Sequence, residues 1–190
     1  MTLIMADRNH PLRGLLERTV GEVFHAEFGA RVPCFPNRLV ASLTGDGAPQ
    51  AVAGLRFAED GFFSEAYLDT PIETALTAAI GRPVARGGVV EFSSLAAPRP
   101  GAAMPLIGWA IRLSLAHGGS VGLFTATRRL RTLLRRTGLE CLDLGPARPE
   151  RLADASPWGS YYLHDPRVMA VSADCLAALR PTTFPERRHA

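Results

Sequence analysis

Leu12, Leu15, Leu16, Thr19, Val23 and Phe24 recur at three- and four-residue steps, which predicts an amphipathic helix over 12–28. Residues 31–37 hold two prolines and read as a loop. Apolar runs at 38–43 and 50–58 flank Thr-Gly-Asp-Gly-Ala-Pro at 44–49, a run of turn-forming residues, and together they predict a β-hairpin. The apolar and aromatic run 61–68 predicts a third strand, with Phe63, Glu65 and Tyr67 on one side of it. Thr70-Pro71-Ile72-Glu73 has the spacing of a capping box, so a short helix is expected to about residue 80. A buried strand over 87–96, an apolar helix over 105–117 stopped by Gly118-Gly119, and a buried strand over 121–125 follow. A helix over 127–137 is expected to turn Leu130, Leu133 and Leu134 inward and to close at Gly138. Residues 141–144, 161–163 and 168–172 read as late strands, and 147–157 as irregular. The pattern is a mixed αβ one, and a crossover helix makes strands 87–96 and 121–125 parallel neighbours.

Composition narrows the chemistry. The chain has 190 residues, 47% hydrophobic and 21% charged, which suits one domain with a buried core and excludes a disordered or fibrous chain. The expected organisation is a single domain over 1–180 and a frayed polar tail over 181–190. All 21 basic residues are arginine. The absence of lysine excludes Schiff-base, pyridoxal-phosphate, P-loop NTPase and kinase chemistry. A net charge of +3 gives no reason to expect nucleic acid. Three widely spaced cysteines form no CxxC pair, and the five histidines show no HxxH spacing, so no metal centre is expected. The most apolar stretch, 102–116, is interrupted by Arg112 and falls short of the roughly 20 apolar residues of a membrane span. No secretory signal is evident, so the reading is a cytoplasmic protein with reduced, mostly buried thiols.

Several short motifs carry a resemblance. They are Val23-Phe24, Gly29-Ala30-Arg31, Gly54-Leu55-Arg56 with Ala58, Glu65 with Tyr67-Leu68-Asp69 and Pro71-Ile72-Glu73, Val90-Glu91 with Leu95, Phe124-Thr125-Ala126-Thr127, and Trp158-Gly159-Ser160-Tyr161-Tyr162. Over about residues 17–171 the chain resembles the thermostable hemolysin family, and through it the GNAT acyltransferases. It departs from the family pattern at Ser93-Ser94, where Gly-Asn is usual. Arg56 and Glu91 also match, in type and order, an Arg and a Glu of the acyl-homoserine-lactone synthases. The resemblance implies an α+β fold, an α/β/α sandwich with a mixed, mostly antiparallel sheet, a splayed parallel pair and flanking helices. It implies transfer of an acyl group from a thioester to the amine of a small molecule, in secondary-metabolite or signal biosynthesis. The donor would be acyl-CoA or the phosphopantetheine of an acyl carrier protein, with no metal.

Such a reaction needs a group to take the amine proton, stabilisation of the thioester oxygen, and alignment of the two reactants. Glu91, mid-strand among apolar residues, would be desolvated into a usable base or would anchor the acceptor's ammonium; the plainer reading is a salt bridge to Arg56. Glu65 is read as recognising the acceptor, with an edge-strand charge as the alternative. Tyr161 would protonate the leaving thiolate. Arg56, Tyr67, Ser93, Thr125 and Trp158 are read as substrate contacts. Arg99, Gly101, Ala102 and Ala103 form the expected pyrophosphate loop, although Pro100 and Pro105 each remove an amide donor. Arg128 opens a run of five arginines in 128–136 that suits an acidic carrier protein or the 3′-phosphate of coenzyme A, or else is a solvated helix face. Two other classes stay open. A membrane-active protein would use the 127–137 helix, and a non-catalytic module would keep the fold and bind a ligand.

Overall fold

The computed structural model describes residues 2–99 and 101–177. In chain order the elements are β1 (Thr2–Ala6), α1 (Arg13–Phe28), β2 (Arg38–Leu43), β3 (Pro49–Arg56), α2 (Ile72–Ile80), β4 (Val89–Ala96), α3 (Ala103–Ala116), β5 (Val121–Ala126), α4 (Arg128–Arg136), β6 (Leu142–Pro146), β7 (Arg167–Ser172) and α5 (Ala173–Ala177). The strands form one sheet in the order β1-β2-β3-β4-β5-β7-β6. Every pairing is antiparallel except β4 with β5, which the α3 crossover makes parallel.

Helices cover both faces of the sheet. On one face α1 buries Leu16, Val20 and Phe24 against Leu39, Ala41 and Val52, and α2 buries Ile72 and Leu76 against Val89, Leu123 and Ala170. On the other, α3 sets Leu106 and Ala110 on Val40, Leu55 and Val90, and α4 sets Leu134 on Val171. This is the expected α+β sandwich. Arg13 ties α1 to the loop before β2. Its guanidinium donates to the carbonyls of Pro36 (2.6 Å) and Asn37 (3.0 Å) and to Glu17 (2.7 Å).

Four local expectations are corrected. The N-terminal residues add an edge strand, β1, that the apolar pattern does not announce. Residues 63–67 form a 3₁₀ turn instead of a strand, because the amides of Phe63 and Ser64 are drawn to a buried carboxylate. Thr70 caps nothing: α2 starts at Ile72, whose amide donates to Glu65 (2.8 Å), while Glu73 turns to Arg86. Residues 161–164 form a 3₁₀ turn instead of a strand. Of the thiols expected to be buried, Cys34 is exposed and Cys141 and Cys175 are half-buried; all three are free. The tail expected over 181–190 lies outside the described residues.

The sheet opens where β4 and β5 part. Their pairing runs from Val89↔Val121 to Phe92↔Phe124 and stops. On its other edge β4 holds a bulge: Gly54 faces Ser93 and Val52 faces Ala96, so three steps on β4 span two on β3. Ser94 takes the left-handed backbone (φ 51°) that this bulge requires.

The Trp158–Tyr162 run is held on the C-terminal end of α1. Ser160 N–H donates to Phe28 O (2.8 Å), and Arg31 N–H donates to Pro157 O (2.6 Å). Gly159 lies in this contact with φ 55°, and a Cβ there would meet Phe28 O at 2.1 Å. Gly159→Ala is therefore expected to destabilise the protein by about 3 kcal/mol, since overpacking costs about 1–3 kcal/mol and a strained backbone adds about 1–3 more. Urea unfolding of the two proteins measures it; a loss under about 0.5 kcal/mol would show that the contact yields.

Candidate active site

Glu91 is the only carboxylate among the buried charged residues described, with 1% exposure. Strand β4 carries it into the sheet one residue before the β4–β5 pairing ends. Its Oε1 accepts the Ser64 amide (2.8 Å) and the Ser64 hydroxyl (2.6 Å), and its Oε2 accepts the Phe63 amide (2.7 Å). These amides sit at the start of a 3₁₀ turn, where no intrahelical partner competes for them. The Ser64 hydroxyl is also 2.9 Å from Thr125 Oγ1. With the Ser64 proton given to Glu91, Thr125 donates to Ser64, and a hydrogen-bonded chain runs from β5 to β4 across the gap. Opposite Glu91 in the register is Arg56 of β3, whose Nε is 4.0 Å from Glu91 Oε2. Burial pushes the Glu91 carboxyl above its usual range; the Ser64 hydroxyl, the two amides and Arg56 pull the other way and lose.

A cavity of about 890 Å³ passes through the gap between β4 and β5. On the α1 side its wall includes Arg56, Ser64, Tyr67, Glu91, Trp158 and Tyr161. On the α3–α4 side Leu106, Ile107, Ala110, Leu133, Leu134 and Phe124 form an apolar stretch, and Arg128, Arg129, Thr132 and Arg136 of α4 also line it. Ser93, Ser94 and Thr125 line the passage between the two. The size falls within the range of about 300–1,000 Å³ usual for small-molecule sites.

Most of the residues singled out from the sequence meet at this cavity: Glu91, Arg56, Ser93, Thr125, Tyr67, Trp158 and Tyr161, together with Gly101, Ala103 and Arg128 at its mouth. Three do not line it. Glu65 sits on the 3₁₀ turn, where the expected strand alternation does not apply. It takes a two-point contact from Arg86 (2.7 and 2.8 Å) as well as the Ile72 amide, and it serves to dock α2. Arg99 is exposed, and Ala102 N–H is spent on Arg99 O (3.3 Å). Tyr161 packs between Phe24, Phe28 and Trp158, and burial drives its phenol well above the usual range. The Tyr67 hydroxyl, also raised by burial, is bonded to that of Tyr162 (2.7 Å).

Sequence reasoning missed the Ser64–Thr125 chain. Ser64 carries no spacing signal; only the need of a buried Glu91 for donors points to it. Three of the five arginines of α4 have partners within the protein. Arg131 is fixed to Asp165 (2.6 Å) and Ala126 O (2.9 Å), and Arg128 and Arg129 reach Asp165 and Glu27. The leucine side of α4 faces the sheet, which leaves only Leu133 substantially exposed (40%). No described helix is long and apolar enough to cross a membrane.

A family model described as thermostable hemolysin matches residues 6–175. The chain belongs to the thermostable hemolysin family. No curated protein matches it. Solved structures do share its fold. The acyl-homoserine-lactone synthase LasI is 12% identical, with a TM-score of 0.63 over 98% of this chain and 99% of its own. The CoA-dependent acyl-homoserine-lactone synthase MesI is 13% identical, with a TM-score of 0.59 over 99% and 97%. FeeM, an N-acyl amino acid synthase from uncultured soil microbes, is 13% identical, with a TM-score of 0.57 over 89% and 94%. These likenesses show the fold that the family member adopts.

The raised Glu91 pKa gives a stability signature in this family member. A carboxyl raised in the folded state binds more protons there than in the unfolded chain. Its contribution is therefore full below the ordinary value of 4.5 and is lost as pH rises toward the folded value. The unfolding free energy of wild type minus that of Glu91→Gln is expected to fall with rising pH above 4.5, by at most about 1.4 kcal/mol per pH unit. Urea titrations at several pH values measure this difference. A flat or rising difference would contradict the direction of the shift.

Proposed function

We propose that this protein is a GNAT-type acyltransferase that moves an acyl group from a thioester, carried by coenzyme A or an acyl carrier protein, to the amine of a small molecule. The observation that carries the reading is the cavity through the β4–β5 gap, lined by the buried Glu91 carboxylate and Arg56 and continuing into an apolar stretch from α3 and α4. The likeness to acyl-homoserine-lactone and N-acyl amino acid synthases supports the same class.

The donor's pantetheine arm enters the gap. Beyond Phe92 and Phe124 the facing edges of β4 and β5 no longer pair with each other, which leaves room for the arm between them. The acyl chain runs onto the α3–α4 side, where Ile107, Ala110 and Leu133 give it an apolar lining. The acceptor takes the α1 side beside Glu91 and Arg56. Its amine nitrogen attacks the thioester carbon, and the C–N bond forms as the C–S bond breaks. Glu91 takes the proton the nitrogen sheds, and the departing sulfur takes up a proton to become a thiol. Ser93 Oγ, buried without a hydrogen-bond partner among the described residues, is the side-chain donor nearest in sequence for the carbonyl oxygen as it gains charge. The Thr125–Ser64 chain holds the Glu91 carboxylate in place while its charge changes. Arg128 and the exposed arginines of α4 lie at the mouth and meet an acidic carrier surface or a phosphate.

Thermal melting with coenzyme A, acetyl-CoA, decanoyl-CoA and an acyl carrier protein tests the donor site. A thioester at about 100 times its dissociation constant adds about 2.7 kcal/mol, and a long-chain thioester is expected to raise the melting temperature more than acetyl-CoA does. Glu91→Gln is expected to keep that shift and to lose about 100-fold or more in kcat/KM for thiol release in the presence of an amine acceptor. No shift with any thioester would refute the transferase; full activity in Glu91→Gln would refute the role given to Glu91.

A further inference from the structure

Arginines inside this protein are saturated with partners, apart from one. Arg13, with its side chain 7% exposed, makes three hydrogen bonds. Arg131, 19% exposed, makes three. Arg56 is 18% exposed and makes none to the described residues; its Nε is fully buried and unpaired, and its nearest carboxylate oxygen stands 4.0 Å away. A guanidinium taken out of water without hydrogen bonds is costly, and its planar set of donors fits a carboxylate at two points.

Glu91 shows the complementary deficit. Oε1 is filled by two donors, whereas Oε2 accepts one, from Phe63, and keeps a lone-pair direction free. The free acceptor and the free donor are thus cross-strand neighbours on one sheet face, and both line the cavity. A ligand that answers both carries an amine and an anion close together. In an α-amino acid the amine nitrogen lies about 2.5 Å from the carboxyl carbon, a spacing that lets the two groups meet Glu91 Oε2 and Arg56 at once.

We infer that the acceptor is an α-amino acid, its carboxylate held by Arg56 and its amine by Glu91, and that the product is an N-acyl amino acid. The inference rests on the acyl-transfer reading for the fate of the amine, but the carboxylate site stands or falls by itself. In the reaction the carboxylate stays on Arg56 throughout; the amine nitrogen gains the acyl carbon, and the thiol leaves. An amine without an acid group leaves the buried Arg56 Nε unpaired, so the site selects against it.

N-decanoylglycine and N-decanoylglycinamide test this on the full chain, because they fill both halves of the cavity whatever the order of substrate binding. By titration calorimetry the acid is expected to bind at least about tenfold more tightly than the amide, as loss of hydrogen bonds to a charged group predicts. In Arg56→Gln, checked for an unchanged melting temperature, the two are expected to bind alike. Equal binding of acid and amide to the wild type would overturn the inference without any variant. Retention of the preference in folded Arg56→Gln, or binding of neither compound, would overturn it too. Decanoyl-CoA offered with a panel of L-amino acids and their carboxamides then separates the two readings. Acid-selective binding with no transfer to any amine would leave the carboxylate site standing and remove acyl transfer.

Discussion

The Glu91 carboxylate has to be solvated by protein, because β4 carries it into the sheet where water does not reach. An ionised carboxylate left bare there would cost several kcal/mol, and the chain answers with three hydrogen-bond donors and a cation. Those donors dictate the local fold. Residues 63–67 must present two successive amides to one carboxylate, which a 3₁₀ turn does and an extended strand does not. The turn in turn places Glu65 where it takes the Ile72 amide, so that the start of α2 and the Arg86 clamp both hang on the same buried charge. Burial still outweighs the donors and leaves the carboxyl raised, which strengthens it as a base.

The gap in the sheet is the second consequence of where Glu91 sits. Pairing with β5 ends one residue later, and the bulge at Ser94 turns the remainder of β4 away while Ala96 rejoins β3. An open gap between central strands would normally expose backbone groups to a dry interior. Here it opens a passage between Glu91 and Arg56 on the α1 side and the apolar stretch of Leu106, Ile107, Ala110 and Leu133 on the α3–α4 side. Thr125 closes the polar side of the passage through Ser64.

The elements legible in the sequence are those whose burial is one-sided and local. The helical period of α1, the turn residues between β2 and β3, and the glycines after α3 and α4 each reflect a nearest-neighbour constraint, and each element appears within a residue or two of expectation. The misreadings share another cause. Phe62, Phe63 and Tyr67, and likewise Tyr161 and Tyr162, are aromatic because they pack on α1, α2 and one another, and a strand is only one way to deliver that packing. Thr70 offers a good cap by spacing, yet a distant carboxylate, Glu65, reaches the Ile72 amide first. At the site, Glu91 and Arg56 were legible as a charge in an apolar strand and its cross-strand partner. Ser64 and the open Oε2 position were not, because their significance exists only once three segments meet.

Arginine usage sharpens this point. With no lysine, every basic contact is made by a rigid five-donor fork, and the interior examples show how the chain normally meets that demand. Arg13 takes two backbone carbonyls and a carboxylate; Arg86 takes two carboxylates and stacks on Phe62 at 4.8 Å; Arg131 takes Asp165 and two carbonyls. Each joins segments far apart in sequence, and each would be costly to leave half-filled. Arg56 lies on β3, about as enclosed as Arg131, and makes no hydrogen bond to the described residues. A fold that satisfies its other buried cations so fully has the means to satisfy this one. That its Nε stays unpaired beside Glu91, on the wall of the cavity, is a local inconsistency of the kind that marks a site whose missing partner is a ligand.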